Sequence, residues 1–271
     1  MKKRVMTVTI IGMLFCMLSG CGRMEETYAQ TEEELPQVVI GIDTYPPFSY
    51  TDENGEPTGI DVELATEALG RMGYRAVFQK IKWEDKNELL ESGQIDCIWS
   101  CYSMDGREDL YRWAGPYMVS RQVVAVNEES DIYSLSDLEG KIIAIQATTK
   151  PEKIFLEHEG KIPEVKQVYS LENRELIYAA LGKGYVDAIA AHETAVEQYM
   201  KDYEMSYRIL DEDILTTGIG AAFSLQDDRM IAEKLSETMD EMRKDGSLEE
   251  ILSKYVTNPD KYLEVQILEK E

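Results

Sequence analysis

His192 and Glu193 are adjacent, and a histidine beside a carboxylate is a minimal acid/base pair when both face one cleft. Adjacent residues need not face the same way, and neither His192 nor the other histidine, His158, belongs to a recognisable triad. The two histidines are far apart and no His/Cys cluster surrounds either, so no metal site and no cofactor is expected. Gln146-Ala147-Thr148-Thr149-Lys150 stands immediately before Pro151, a residue suited to the first turn of a helix. Amides and hydroxyls at such a helix start suit an anion, and Lys150 adds a positive charge there or is simply solvated. Cys97 and Cys101 either stay as two buried thiols or pair, and pairing needs a turn between them.

These groups must be carried by an alternation of short apolar runs and amphipathic stretches, the pattern of an α/β body. Val38-Val39-Ile40-Gly41-Ile42, Ala76-Val77-Phe78 and Ile95-Asp96-Cys97-Ile98-Trp99 read as strands, with helices over 60–72 and 86–91 between them. A second series begins with strands at 122–126 and 141–145. Helices at 151–158 and 175–181, a strand at 186–190 and a helix at 193–203 follow. A strand at 218–223, a long amphipathic helix over 227–244 and a short helix over 248–255 complete the pattern.

The start of the chain is organised differently. Lys2, Lys3 and Arg4 precede an apolar run from Val5 to Leu18, which is shorter than the roughly 20 residues of a comfortable membrane span. This is the layout of an export signal. Leu18-Ser19-Gly20-Cys21 resembles a bacterial lipobox, in which the cysteine is lipidated and becomes the new N-terminus; a plain signal-anchor helix is the alternative. Residues 21–36, with Glu25, Glu26, Glu32, Glu33 and Glu34, are too polar to fold alone and read as an acidic tether. The expected location is the extracytoplasmic face of a cell membrane, held by lipid. With 28 basic and 52 acidic residues the formal charge is −24, and loss of the three basic residues of 1–20 lowers it to −27. Such a surface repels phosphates, so nucleic-acid binding is set aside, and the charge reads as solubility, with a specific cationic partner as the alternative.

In order and in local strings, residues 37–257 resemble family 3 of the bacterial extracellular solute-binding proteins, the amino-acid receptors of ABC importers. The strings are Gly41-Ile42-Asp43-Thr44-Tyr45-Pro46-Pro47-Phe48, Thr58-Gly59-Ile60-Asp61-Val62-Glu63-Leu64, and Gly93-Gln94-Ile95-Asp96 leading to Asp105-Gly106-Arg107. Gly184-Tyr185-Val186-Asp187-Ala188 and Met242-Arg243-Lys244-Asp245-Gly246-Ser247 follow in the right order. The resemblance implies a two-lobed, type II periplasmic-binding-protein-like α/β fold with a ligand cleft between the lobes. Lobe 1 is then 37–117 plus 217–257, lobe 2 is 122–212, and 258–271 is a C-terminal tail. Two hinge crossings fall near 117–121 and 213–217.

It also implies roles for residues. Arg107 matches the position that salt-bridges the ligand's α-carboxylate, and a planar guanidinium suits a two-oxygen anion. Asp43 matches a contact to the ligand's polar end. Tyr45 and Trp83 match aromatic positions that sandwich the ligand side chain, with ordinary core packing as the alternative. Ser100 matches the place whose carbonyl receives the ligand ammonium, and Tyr102 stands where a threonine hydroxyl usually bonds the carboxylate. Gln146, Thr148 and Thr149 come from lobe 2, Thr148 replacing a usual glycine. The ammonium-binding aspartate falls at His192. Either Glu193 takes its place by a small shift, or the ligand lacks a standard free α-amino group, or the contact is pH-sensitive.

The expected function is non-catalytic: capture of a polar amino acid or amino-acid-like carboxylate by a monomeric lipoprotein, and delivery to an ABC transporter permease. The alternatives are an enzyme on the same scaffold, similar to cyclohexadienyl dehydratase, and a sensory ligand-binding protein that signals through another chain.

Overall fold

The computed structural model describes residues 35–265 and residue 268. The expected signal, the lipidated Cys21 and nearly all of the acidic tether lie outside the described residues. Ten strands and eight α-helices are described, in the order β1 Gln37–Ile42, β2 Tyr50–Thr51, β3 Pro57–Thr58, α1 Ile60–Arg71, β4 Arg75–Lys80, α2 Lys86–Glu91, β5 Cys97–Ser103 and β6 Arg112–Asn127. Then come β7 Ile142–Gln146, α3 Lys150–Glu157, β8 Gln167–Leu171, α4 Arg174–Gly182, β9 Ala188–His192, α5 Glu193–Tyr203 and β10 Tyr207–Phe223. The helices α6 Ile231–Asp245, α7 Ser247–Ser253 and α8 Asp260–Leu263 complete the set.

One curled sheet holds eight strands in the order β4-β1-β5-β10-β6-β9-β7-β8, and β2 pairs only with β3. The left part is parallel, with β1 between β4 and β5; the right part is parallel too, with β7 between β8 and β9. Each parallel part is built from βα units, which need a helix to return the chain. The antiparallel pair β6 and β10 joins them. Their 16 and 17 residues are far longer than the other strands. Their pairing is irregular around Ile209, Asp213 and Leu215, and such bulges bend a ribbon where it passes between bodies.

Two sets of apolar clusters confirm the division. On one side Val38, Ile40, Leu64, Trp99, Phe223 and Leu235 pack with α1, α6 and α7; beside them lie Ile81, Ile95 and Ile98. On the other side Val124, Ile145, Phe155 and Leu210 cover one sheet face, and Val123, Ile177, Leu181 and Val196 cover the other. The fold is therefore the expected two-lobed α/β architecture.

Several details differ from the reading of the sequence. β8 is absent from that reading because its exposed, polar-rich QVYSL sequence is an edge strand with little apolar signal. The long helix starts at Ile231 rather than 227, since Asp227 accepts hydrogen bonds from the Arg229 backbone and side chain and holds a turn there. Residues beyond 257 include the helix α8, whose Tyr262 is buried among the lobe 1 apolar residues. Cys97 and Cys101 are free, buried thiols. Both lie on β5, so four residues of extended chain separate their Cα atoms by about 13 Å, well beyond disulfide reach.

Candidate functional site

A buried carboxylate shapes the floor of the site. Asp61 opens α1 and is 1% exposed; its Oδ1 accepts from the Tyr117 hydroxyl at 2.6 Å and its Oδ2 from the Cys101 backbone N–H at 2.6 Å. Those bonds fix β5 where Cys101 turns to a positive φ of 48°. The turn directs the next residues, Tyr102 and Ser103, into the space between the lobes. Burial raises the Asp61 carboxyl to about 7.

The cavity between the lobes is small, about 30 Å³. Lobe 1 contributes Trp83, Cys101, Tyr102, Ser103 and Arg107; lobe 2 contributes Gln146, Thr148, Thr149, Lys150, Arg174 and His192. Gln122, on the crossing strand β6, also lines it. Arg107 follows β5 on a turn, donates through Nη1 to the Ser103 carbonyl at 3.0 Å, and lies 4.8 Å over the Tyr102 ring. Trp83 meets Tyr102 edge to face at 5.3 Å. The Tyr102 hydroxyl pairs with that of Tyr111, which donates to Asn87 Oδ1, so the phenol is engaged within lobe 1 and its ring supports Arg107.

From the sequence-based set, Trp83, Tyr102, Arg107, Gln146, Thr148, Thr149 and His192 come together on this cavity. Asp43, Tyr45, Ser100 and Glu193 do not line it. Ser100 Oγ is a buried strut that accepts from the Asp43 N–H at 3.1 Å and pairs with Ser49 Oγ at 2.6 Å. Tyr45 is 2% exposed, accepts from the His192 N–H at 3.1 Å, and has its ring face covered by Arg174, whose guanidinium carbon lies 3.2 Å from the ring centre. Asp43 Oδ2 accepts from Gln146 Nε2 at 2.8 Å and lies 3.7 Å from Arg174 Nε. Glu193 turns toward the crossing strands, pairing with Arg121 at 2.7 Å and Lys261 at 2.6 Å.

His192 is buried within a neutral network. Its Nε2 lies 2.7 Å from Gln122 Nε2 and its Nδ1 2.8 Å from Ser120 Oγ. If the amide donates to Nε2, the Nδ1–H donates to the serine. Burial, reinforced by the positive fields of Arg174 and Arg107, pushes His192 down to about 3. A ring held neutral by burial is no source of a charge change near neutrality, and of the three alternatives at this position it gives least support to a pH-sensitive contact.

Thr148 takes a φ of 58°, a left-handed conformation that is strained for a β-branched residue. Glu152 accepts from its N–H at 2.6 Å, while Lys86 reaches across from lobe 1 and donates to its Oγ1 at 3.0 Å. Lys86 is 3% exposed, and burial followed by repulsion from Arg107 lowers its ammonium to about 8. Lys150 crosses in the opposite sense, to Asp105 at 2.8 Å. Sequence reasoning missed Cys101, Ser103, Gln122 and Arg174 in the cavity wall and Lys86 behind it, the last two being charged. Those two sit at helix starts, where a basic residue carries no periodic or motif signal.

A cleft between two lobes, lined by polar side chains from both, is the architecture of a small-solute receptor that closes around its ligand. The chain belongs to the bacterial extracellular solute-binding proteins, family 3, which it matches over residues 38–258. It is 26% identical over 259 residues to the probable amino-acid-binding protein YxeM of Bacillus subtilis (strain 168), covering 94% of this chain and 96% of the relative. It is 28% identical over 232 residues to the histidine-binding periplasmic protein of Salmonella typhimurium (strain LT2), covering 82% and 88%. Among solved structures, an ancestral arginine-binding protein bound to arginine matches with a TM-score of 0.71 and 25% identity, over 81% of this chain and 97% of that one. The substrate-binding protein of an amino-acid ABC transporter matches with a TM-score of 0.73 and 25% identity, over 82% and 100%. These relatives are binding proteins, and the chain is a solute-binding protein rather than an enzyme. Among the described residues no helix is long and apolar enough to cross a membrane.

Proposed function

We propose that this protein captures a small amino-acid-like carboxylate in the inter-lobe cleft and delivers it to the permease of an ABC importer. The reading rests on one observation: Arg107 stands in the wall of a cavity built from both lobes, with donors still free beyond its single bond to Ser103. A guanidinium so placed offers two parallel N–H donors to a carboxylate. The amino-acid-binding names of its relatives support the same class of solute. Lipidation at Cys21 would hold the body near the permease, and the protein would act as a monomer with one cleft.

The test is a thermal-shift screen of the full chain against the standard amino acids and their carboxylate derivatives. A ligand at one hundred times its dissociation constant adds about 2.7 kcal/mol of stability. The expected result is a raised melting temperature for one chemical group of carboxylates, abolished by Arg107→Ala. Binding that survives Arg107→Ala unchanged would remove the carboxylate anchor from the proposal.

A further inference from the structure

The charged residues that line the cavity are all basic: Arg107, Lys150 and Arg174. Lys86 lies just behind them, beside Thr148 and the Trp83 ring. Lys150 is paired with Asp105 at 2.8 Å, whereas Arg174 Nε faces Asp43 Oδ2 only at 3.7 Å, so the two guanidiniums keep hydrogen-bond donors for a solute. No carboxylate lines the cavity. Asp43, the nearest acid, is engaged by Gln146 and Arg174. The position that would receive an ammonium holds neutral His192, whose two ring nitrogens are occupied by Ser120 and Gln122. Arg174 fills the face of Tyr45, leaving no open aromatic surface there for a basic side chain.

The unpartnered buried atoms of the lining are two donors and two acceptors, the acceptors being Gln122 Oε1 and Gln146 Oε1. Arg174 Nε and Trp83 Nε1 are buried donors without a hydrogen-bond partner, Arg174 Nε facing Asp43 Oδ2 across 3.7 Å, and both residues line the cavity. Buried donors left unpaired are costly, and an acidic group would satisfy them. Gln146 is 3% exposed, its amide nitrogen is committed to Asp43, and its Oε1 accepts nothing. A neutral amide N–H or a hydroxyl satisfies such an acceptor, whereas an ammonium would also meet the two guanidiniums without a compensating carboxylate.

We infer that the solute is a small dicarboxylate with no free ammonium group, its nitrogen, where it has one, being acylated. One carboxylate lies on Arg107 and the second on Arg174 and Trp83 Nε1. This deepens the proposed capture function and rests on it.

The experiment is calorimetric titration of the full chain with matched pairs that differ at the ammonium: succinate against L-aspartate, glutarate against L-glutamate, and N-acetyl-L-glutamate against L-glutamate. In at least one pair the ammonium-free member is expected to bind about tenfold or more tightly than its partner. Arg174→Gln is expected to weaken that dicarboxylate by about tenfold or more, and Arg174→Lys to restore part of the loss. The unliganded melting temperature of each variant verifies folding. If zwitterionic amino acids bind as well as or better than their ammonium-free counterparts, and Arg107→Ala removes that binding, this inference falls and the capture function stands. If Arg174→Gln leaves dicarboxylate affinity unchanged, the second subsite is wrong. If no carboxylate of either kind binds, both readings fall together.

Discussion

Asp61 and His192 are buried ionisable groups whose shifts run in opposite directions, so they leave opposite marks on the pH dependence of stability. Asp61 is raised from 3.8 to about 7. Between those values the folded chain keeps a proton that the unfolded chain releases. Its stabilising contribution is therefore complete below about pH 4 and lost as pH rises through 7. His192 is lowered from 6.5 to about 3, so its contribution is complete above pH 6.5 and lost as pH falls toward 3. Asp61→Asn is expected to flatten the decline in unfolding free energy between about pH 4 and 7, as measured by urea denaturation across that range. His192 is expected to leave solute affinity flat from pH 5 to 8; a binding curve with a midpoint near 6.5 that His192→Gln removes would contradict its neutral role. Arg107, Gln146 and Thr149 were legible as cavity-lining residues because they sit in family-like strings or before Pro151. Arg174 was not, because its partners Asp43 and Tyr45 are more than a hundred residues away in sequence and meet it only when the lobes come together.

Elements place these side chains as much as residue identity does. Arg174 is the first residue of α4, whose N-cap Asn173 accepts from the Glu175 N–H at 2.7 Å. Asn173→Ala should cost about 1 kcal/mol of stability and, by fraying the first turn, also weaken solute binding. A loss of stability by denaturation with affinity unchanged would show that α4 holds Arg174 by its apolar face alone. The helices were largely legible from the sequence: α1, α2 and α5 start and end close to where their periodicity, their glycines and their polar caps place them. The strands were legible only where they are apolar. β6 and β10 read as short runs near 122–126 and 218–223, because the flanking Arg112, Asp211, Glu212 and Asp213 break the apolar signal. Their full length comes from pairing with each other, an interaction between segments almost a hundred residues apart.

At the scale of the molecule, the two lobes are tied on both sides of the cleft. Near the crossings Glu193, 7% exposed at its side chain, binds Arg121 and Lys261 and so links α5 to β6 and α8. Glu193→Ala is expected to cost about 1–2 kcal/mol and to increase hydrogen exchange across Asp260–Leu263, since both of its charge-assisted bonds are lost. Across the cleft, Lys86 to Thr148, Lys150 to Asp105, Gln146 to Asp43 and the His192 N–H to Tyr45 all pass from lobe to lobe. With the Arg174–Asp43 pair, those bonds hold the lobes together around a cavity of about 30 Å³, and the lobe opening that a solute needs is expected to break them. Their consequence is kinetic. Uptake becomes a gated reaction, so the observed association rate should climb with solute concentration and then level off at the lobe-opening rate. A Lys86→Met substitution removes one bolt from the gate, and stopped-flow traces should show that ceiling lifted, with residence time shortened in step.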